Sequence, residues 1–122
     1  MDISELVLGP PIGCATDTPV TEVAKLMVEE GVGSLAVMDG TRLLGIVTDR
    51  DIVVACCDGD VTDLEASDIM TPEPDTIDSS TDLESATDWL NATGYRHLPV
   101  TEDGKLIGII SIKDLLWAAT GR

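Results

Sequence analysis

Apolar residues along this chain follow two rhythms, one recurring every third or fourth position and one packed into short near-continuous runs. The two rhythms appear twice in the same order. In the first copy Gly13-Cys14-Ala15 predicts a short strand. Thr18 is the expected cap of a helix that starts at Pro19, where a missing N–H costs nothing, and Val20, Val23, Met27 and Val28 give its helical spacing. Gly31 is expected to stop that helix in a left-handed conformation. Leu35 to Met38 predicts a strand, Asp39-Gly40 a turn, Leu43 to Thr48 a second strand, and Asp51 begins another apolar helix. In the second copy Thr76-Ile77 is a strand and Thr81-Asp82-Leu83-Glu84 reads as a capping box. A helix carrying Leu83, Ala86, Trp89 and Leu90 runs to Gly94. His97 to Thr101, the turn Asp103-Gly104, Leu106 to Ser111 and a helix from Asp114 to Ala119 complete the plan. Short helices are expected at Ile3 to Leu8 and, within the acidic linker Asp58 to Glu73, at Ala66 to Met70.

The two copies superpose without a gap when Cys14 is set on Ile77 and Ala55 on Ala118. Thr18/Thr81, Gly31/Gly94, Leu35/Leu98, Val37/Val100, Leu43/Leu106, Gly45/Gly108, Ile46/Ile109, Asp51/Asp114 and Ala55/Ala118 are identical pairs. Thr48/Ser111, Arg50/Lys113 and Arg42/Lys105 are similar ones. The repeat divides the chain at 1–60, with the leading short helix, and 61–122, with the linker helix. Each half reads as strand, helix, strand, strand, helix.

An acid that recurs just after a strand, at the start of a helix, can accept hydrogen bonds from vicinal ribose hydroxyls. Asp51 and Asp114 occupy such places, with the hydroxyls of Thr48 and Ser111 three residues earlier. The same residues are equally ordinary helix caps, favoured by the dipole. Both readings stand at this point.

Several phrases resemble a known family. Leu44-Gly45-Ile46-Val47-Thr48-Asp49-Arg50-Asp51-Ile52 and Leu106-Ile107-Gly108-Ile109-Ile110-Ser111-Ile112-Lys113-Asp114-Leu115 resemble the end of a CBS domain, the module named after cystathionine β-synthase. Asp68-Ile69-Met70-Thr71-Pro72 resembles its opening, and Gly94-Tyr95-Arg96-His97-Leu98-Pro99-Val100 its second strand. The resemblance implies an α/β fold of two tandem β-α-β-β-α units packed through their sheets with pseudo-two-fold symmetry, as in a Bateman-type module. It implies adenosine-containing ligands (AMP, ADP, ATP, S-adenosylmethionine, sometimes NAD-type dinucleotides) in two clefts, and regulation rather than catalysis. No effector is joined within this chain, so an unknown effector protein acting in trans is expected. Carried over residue by residue, one cleft takes Pro10, Ile12, Val32, Gly33 and Ser34 with Ser111, Lys113 and Asp114. The other takes Met70, Asp75, Tyr95, Arg96 and His97 with Thr48, Arg50 and Asp51. Apolar members would sandwich adenine and the backbone would read its edge. The second cleft gathers Arg50, Arg96 and His97, and guanidinium suits phosphate, so it is the favoured site for a phosphorylated ligand. The first has only Lys113 nearby and is expected to be weak or empty. The alternative for Arg96 and His97 is a solvated strand face that neutralises nearby acids.

Charge sharpens this picture. The 122 residues carry 7 basic and 23 acidic side chains, a net −16. That excludes nucleic-acid binding, which needs cations to displace phosphate counterions, and anionic membrane surfaces. A solubilising surface or a high-salt habitat both fit the acidity. With no Phe, one Tyr and two Trp, the core must come from Val, Leu, Ile, Ala and Met. Two units of about 55 residues would be marginal alone. Apolar positions such as Val53, Val54, Leu116 and Trp117 therefore predict a homodimer, unless those faces pack on each other within the chain.

The three cysteines, Cys14, Cys56 and Cys57, have no metal spacing, and with one His no metal site is expected. Free thiols, no basic-apolar leader and no long apolar run point to a cytoplasmic protein. Cys56-Cys57 read as packing residues at a helix end. Trp89 and Trp117 read as core or dimer-interface residues. Gly31-Val32-Gly33-Ser34-Leu35-Ala36 matches a dinucleotide fingerprint in letters, but it runs from helix into strand, the reverse of the required order. Neither Glu29-Glu30 nor Asp49/Asp51 has the apolar surroundings of an acid–base pair, and no nucleophile–base pair is visible. No enzyme and no required cofactor is expected. A structural or interaction module with a degenerate pocket is the alternative function.

Overall fold

The computed structural model describes residues 2–7 and 9–120. Leu8, placed by sequence at the end of the first short helix, lies outside the described residues. The chain forms two compact units, Ile12–Pro74 and Met1–Pro11 with Asp75–Arg122. The leading segment of each sequence copy belongs to the unit built from the other copy.

In the unit Ile12–Pro74, a four-stranded sheet has the order β1 (Gly13–Cys14), β2 (Ser34–Asp39), β3 (Arg42–Thr48), β4 (Thr71–Pro72). Helix α1 spans Val20–Glu30, α2 Asp49–Asp58, and the single turn α3 Ala66–Ile69. β1 is parallel to β2, and β2–β3 is an antiparallel hairpin turning at Gly40, whose φ of 61° a glycine adopts without strain. Val23, Met27, Leu35, Val37, Val47 and Ala66 form the buried core.

The other unit repeats the plan with β5 (Ile77–Asp78), α4 (Leu83–Thr93), β6 (His97–Glu102), β7 (Lys105–Ser111) and α5 (Ile112–Ala119). A short 3₁₀ turn, Ile3–Leu6, takes the place of α3. Ile3, Ala86, Leu90, Leu98, Val100, Ile110 and Leu115 form its core. The hairpin irregularity also repeats, between Val37 and Met38 and between Val100 and Thr101.

The exchange of leading segments is fixed by matched backbone bonds. The Ile3 N–H donates to the Thr81 carbonyl (3.0 Å) and the Ala66 N–H to the Thr18 carbonyl (2.8 Å), while Asp2 bridges Asp82 and Glu65 bridges Pro19. Two glycines make room for it. A Cβ on Gly45 would stand 2.5 Å from Met70 Sδ, and one on Gly108 would stand 2.7 Å from Val7 Cγ1. Met70 and Val7 are equivalent positions of the repeat.

The helix starts differ from the sequence reading. Thr18 does not cap α1. Its hydroxyl accepts from the Ala15 N–H, Pro19 is the N-cap without a side-chain bond, and the Val20 N–H finds the Leu64 carbonyl instead. The cap of α4 is Asp82, accepting from the Ser85 N–H at 2.7 Å, not Thr81, whose carbonyl is held by Ile3. Gly31 (φ 67°) and Gly94 (φ 75°) end α1 and α4 in the left-handed region, as their type requires. The Cys56-Cys57 expectation is corrected, because both thiols are exposed on α2. That helix buries no residue fully, and its C-terminal end faces solvent.

Candidate functional site

The strand-to-helix transitions are built identically in the two units. Thr48 is the N-cap of α2: its hydroxyl accepts from the Asp51 N–H (3.2 Å), and Asp51 Oδ2 accepts from the Thr48 N–H (2.8 Å). Ser111 and Asp114 form the same reciprocal box at α5, at 3.3 and 2.9 Å. The capping role of these residues is therefore realised. It engages one carboxylate oxygen, Oδ2, with the backbone in each box.

Each box is tied to the start of the neighbouring strand in its own unit. Ser34 is in register with Thr48, and the Asp49 N–H donates to the Gly33 carbonyl (2.9 Å). His97 is in register with Ser111, and the Ile112 N–H donates to the Arg96 carbonyl (2.8 Å). So the structure brings Gly33 and Ser34 to Thr48 and Asp51, and Arg96 and His97 to Ser111 and Asp114. Arg50, Arg96 and Lys113 are exposed, His97 is half-buried and engaged, and Ser34 is buried. Pro10 is exposed. Ile12, Val32 and Met70 pack on the core of the Ile12–Pro74 unit.

Asp75 and Tyr95 meet directly. The Tyr95 hydroxyl donates to Asp75 Oδ2 at 3.1 Å, and the Tyr95 ring lies 5.4 Å from that of Trp89, tilted by 57°. The hydrogen bond to Asp75, and then its charge, push the Tyr95 phenol above its ordinary pKa. Trp89 was assigned by sequence to core or interface. It packs on the core and also touches a candidate site residue, a role signalled only by its alignment with Leu26 in the repeat. Trp117 is 65% exposed. Cys14 is half-buried, and that burial raises its thiol pKa. Among the described residues no three His, Cys, Asp or Glu side chains are grouped to hold a metal ion. Among them too, no helix is long and apolar enough to cross a membrane.

The CBS domain family model matches residues 3–58 and 66–121. An uncharacterized 17.7 kDa protein of Acidianus ambivalens is 41% identical over 79% of this chain and 59% of its own length. Inosine-5'-monophosphate dehydrogenase of Korarchaeum cryptofilum is 34% identical over 87% of this chain, but only 22% of that enzyme is covered. The chain thus spans a little over half of the first of these relatives. Among solved structures, the CBS domain protein NE2398 aligns at a TM-score of 0.90 and 29% identity over 98% of both chains. CBSX2 of Arabidopsis thaliana in complex with AMP aligns at 0.82 and 30% identity, covering 98% of this chain and 96% of that one. With both halves matched and the β-α-β-β-α plan seen twice, the chain belongs to the CBS domain family as a tandem pair.

Proposed function

We propose that the chain is a regulatory module that binds an adenosine-containing ligand, AMP, ADP, ATP or S-adenosylmethionine, and catalyses no reaction. The observation that carries the reading is the similarity over nearly the whole chain to CBSX2 solved with AMP. The duplicated Thr48–Asp51 and Ser111–Asp114 boxes support it, since each keeps a carboxylate oxygen for a ribose hydroxyl. The favoured ligand contacts are Thr48, Arg50, Asp51, Met70, Asp75, Tyr95, Arg96 and His97. Pro10, Ile12, Val32, Gly33, Ser34, Ser111, Lys113 and Asp114 form the weaker set, which lacks the arginines.

The test is thermal unfolding with AMP, ADP, ATP, S-adenosylmethionine and NADH at low and high salt. A ligand at about a thousand times its Kd stabilises by about 4 kcal/mol and moves the midpoint by many degrees. One ligand should do so, and Asp51→Ala and Arg96→Ala should abolish the shift. Unchanged affinity in Arg96→Ala would refute the asymmetry between the two sets.

A homodimer is the second element of the proposal. Val53 and Val54 on α2 are 62% and 49% exposed, and the equivalent Leu116 and Trp117 on α5 are 56% and 65% exposed. Large apolar side chains repeated at matched exposed positions support self-association, with an effector engaged in trans. A monomeric mass by light scattering at micromolar concentration would defeat it. An interaction module with a degenerate pocket is what remains if the chain is folded and dimeric but no nucleotide shifts its midpoint. The three free thiols support a reducing, cytoplasmic setting.

A further inference from the structure

One large side chain and one shallow depression lie uncovered on different helices. Trp117, on α5, is 65% exposed. On α1, Ala24, Lys25, Val28 and Glu29 line an open depression, and Val28 is 82% exposed. Setting the two copies in register shows that each feature is peculiar to its own copy. The position of Trp117 holds the much smaller Val54 in α2, and Ala24, Lys25 and Val28 become Thr87, Asp88 and Asn91 in α4. An indole therefore has an apolar, cationic seat on α1 and none on α4. Neither feature serves the core of its own unit. Val20, Val23 and Met27 are the buried residues of α1, and Leu115 carries the packing of α5.

Resting on the homodimer reading, we infer that Trp117 of one copy docks in the α1 depression of a second copy, so that the second half of one chain meets the first half of the other. Ala24 and Val28 give the indole an apolar floor, and the Lys25 ammonium lies against its π face. Lys113, four residues before Trp117, shares its face of α5, whereas α1 ends in Glu29-Glu30 with no basic residue in its last turn. The positive flank of the indole thus meets the negative end of α1. In a chain of net charge −16, this contact places two of the seven basic side chains where repulsion would otherwise oppose association. Pairing α1 with a second α1 would leave both indoles in water. A two-fold axis makes the Trp117 contact twice and closes the dimer.

The experiment follows mass by light scattering and sedimentation against protein concentration, without nucleotide. Trp89→Phe, a conservative change at a position that packs on the core, leaves Trp117 as the only tryptophan. Its emission should move to shorter wavelength, and its quenching by acrylamide should fall, over the concentrations at which the mass doubles. Trp117→Ala should raise the dissociation constant at least about thirtyfold, the effect of losing one aromatic anchor. Val28→Asn installs the residue that α4 already carries at this place, and it should weaken association comparably with the circular dichroism unchanged. Lys113→Glu should weaken association by about tenfold, and adding Glu29→Lys and Glu30→Lys to that chain should restore it, a rescue that loss of stability does not produce. Trp117 emission that stays at its solvent-exposed wavelength while the mass doubles, an unchanged dissociation constant in Trp117→Ala, or a charge exchange that restores nothing overturns the inference and leaves self-association standing through another face. A single-chain mass at micromolar concentration and above overturns both.

Discussion

Ile3 is wholly buried although it is the third residue of the chain, and it lies in the core with Ala86, Leu90, Leu98, Val100, Ile110 and Leu115. Its repeat equivalent is Ala66, and the equivalent of Ala86 is Val23. The two cores therefore place the larger side chain on opposite members of the same pair. Ile3→Ala is expected to cost about 2–5 kcal/mol, the lost transfer energy plus the cavity left behind. At roughly 3–6 °C per kcal/mol for a chain of this size, a mid-range loss lowers Tm by roughly 10–20 °C. Ala86→Val alone overpacks the core by about 1–3 kcal/mol. The double variant rebuilds the arrangement of the other unit, and it should recover at least about 1 kcal/mol of the summed losses as coupling energy. Urea unfolding followed by circular dichroism, with Tm as a second measure, provides the cycle. Two results would refute the reasoning. A loss below about 0.5 kcal/mol in Ile3→Ala is what a surface position gives, and would mean that the leading segment does not pack in that core. Strict additivity in the double variant would mean that the two side chains do not share space.

Other outcomes follow from single features of the fold. Gly45→Ala should destabilise by about 1–3 kcal/mol, because its Cβ meets the Thr71 backbone carbonyl at 2.9 Å as well as the more yielding Met70 side chain; a neutral effect in chemical denaturation would show that β4 is free to move. Raising KCl from about 0.1 to 2 M should raise Tm, since screening relieves the self-repulsion of a net −16 charge; a flat or falling Tm would count against it. Asp82 is held below the usual carboxylate range by the Ser85 N–H, and Asp78 by the Ser80 hydroxyl and N–H. A folded pKa below the unfolded one gives stability that is present above the ordinary carboxylate pKa and lost as pH falls through the folded value. Asp82→Ala should therefore flatten the acid limb of the stability profile, and an unchanged limb would contradict that. The Tyr95 phenol has the opposite sign. Its contribution is full below the ordinary tyrosine pKa and fades as pH rises through the raised value, and Asp75→Asn should remove this alkaline loss.

Much of this protein was legible in its sequence because a repeat supplies an internal check. Any element read in one copy must reappear in the other. The hairpins, the left-handed stops at Gly31 and Gly94 and the boxes Thr48–Asp51 and Ser111–Asp114 are local devices, set by residues within a few positions of each other. Helix starts were less secure. Thr18 and Thr81 carry good capping chemistry, but backbone groups brought from far along the chain, Leu64 and Ile3, engage the two helix entries instead.

What only the tertiary structure decided is the exchange of leading segments. Pattern places short helices at Ile3 to Leu8 and Ala66 to Met70, yet either could close the core of its own copy or of the other. The choice is made by long-range fit: Ile3 in one core with Ala86, Ala66 in one core with Val23, and the space left at Gly45 and Gly108 for Met70 and Val7. The same holds for the Tyr95 corner. Sequence places Asp75, Trp89 and Tyr95 at 14 and 6 residues' separation, read from their numbers, with no shared periodicity to link them. A hydrogen bond and a ring contact join them because the segment before β5, the last turn of α4 and the residue after Gly94 converge in space. Local propensity writes the elements; the volumes and donors that must be matched across the core decide which of them meet.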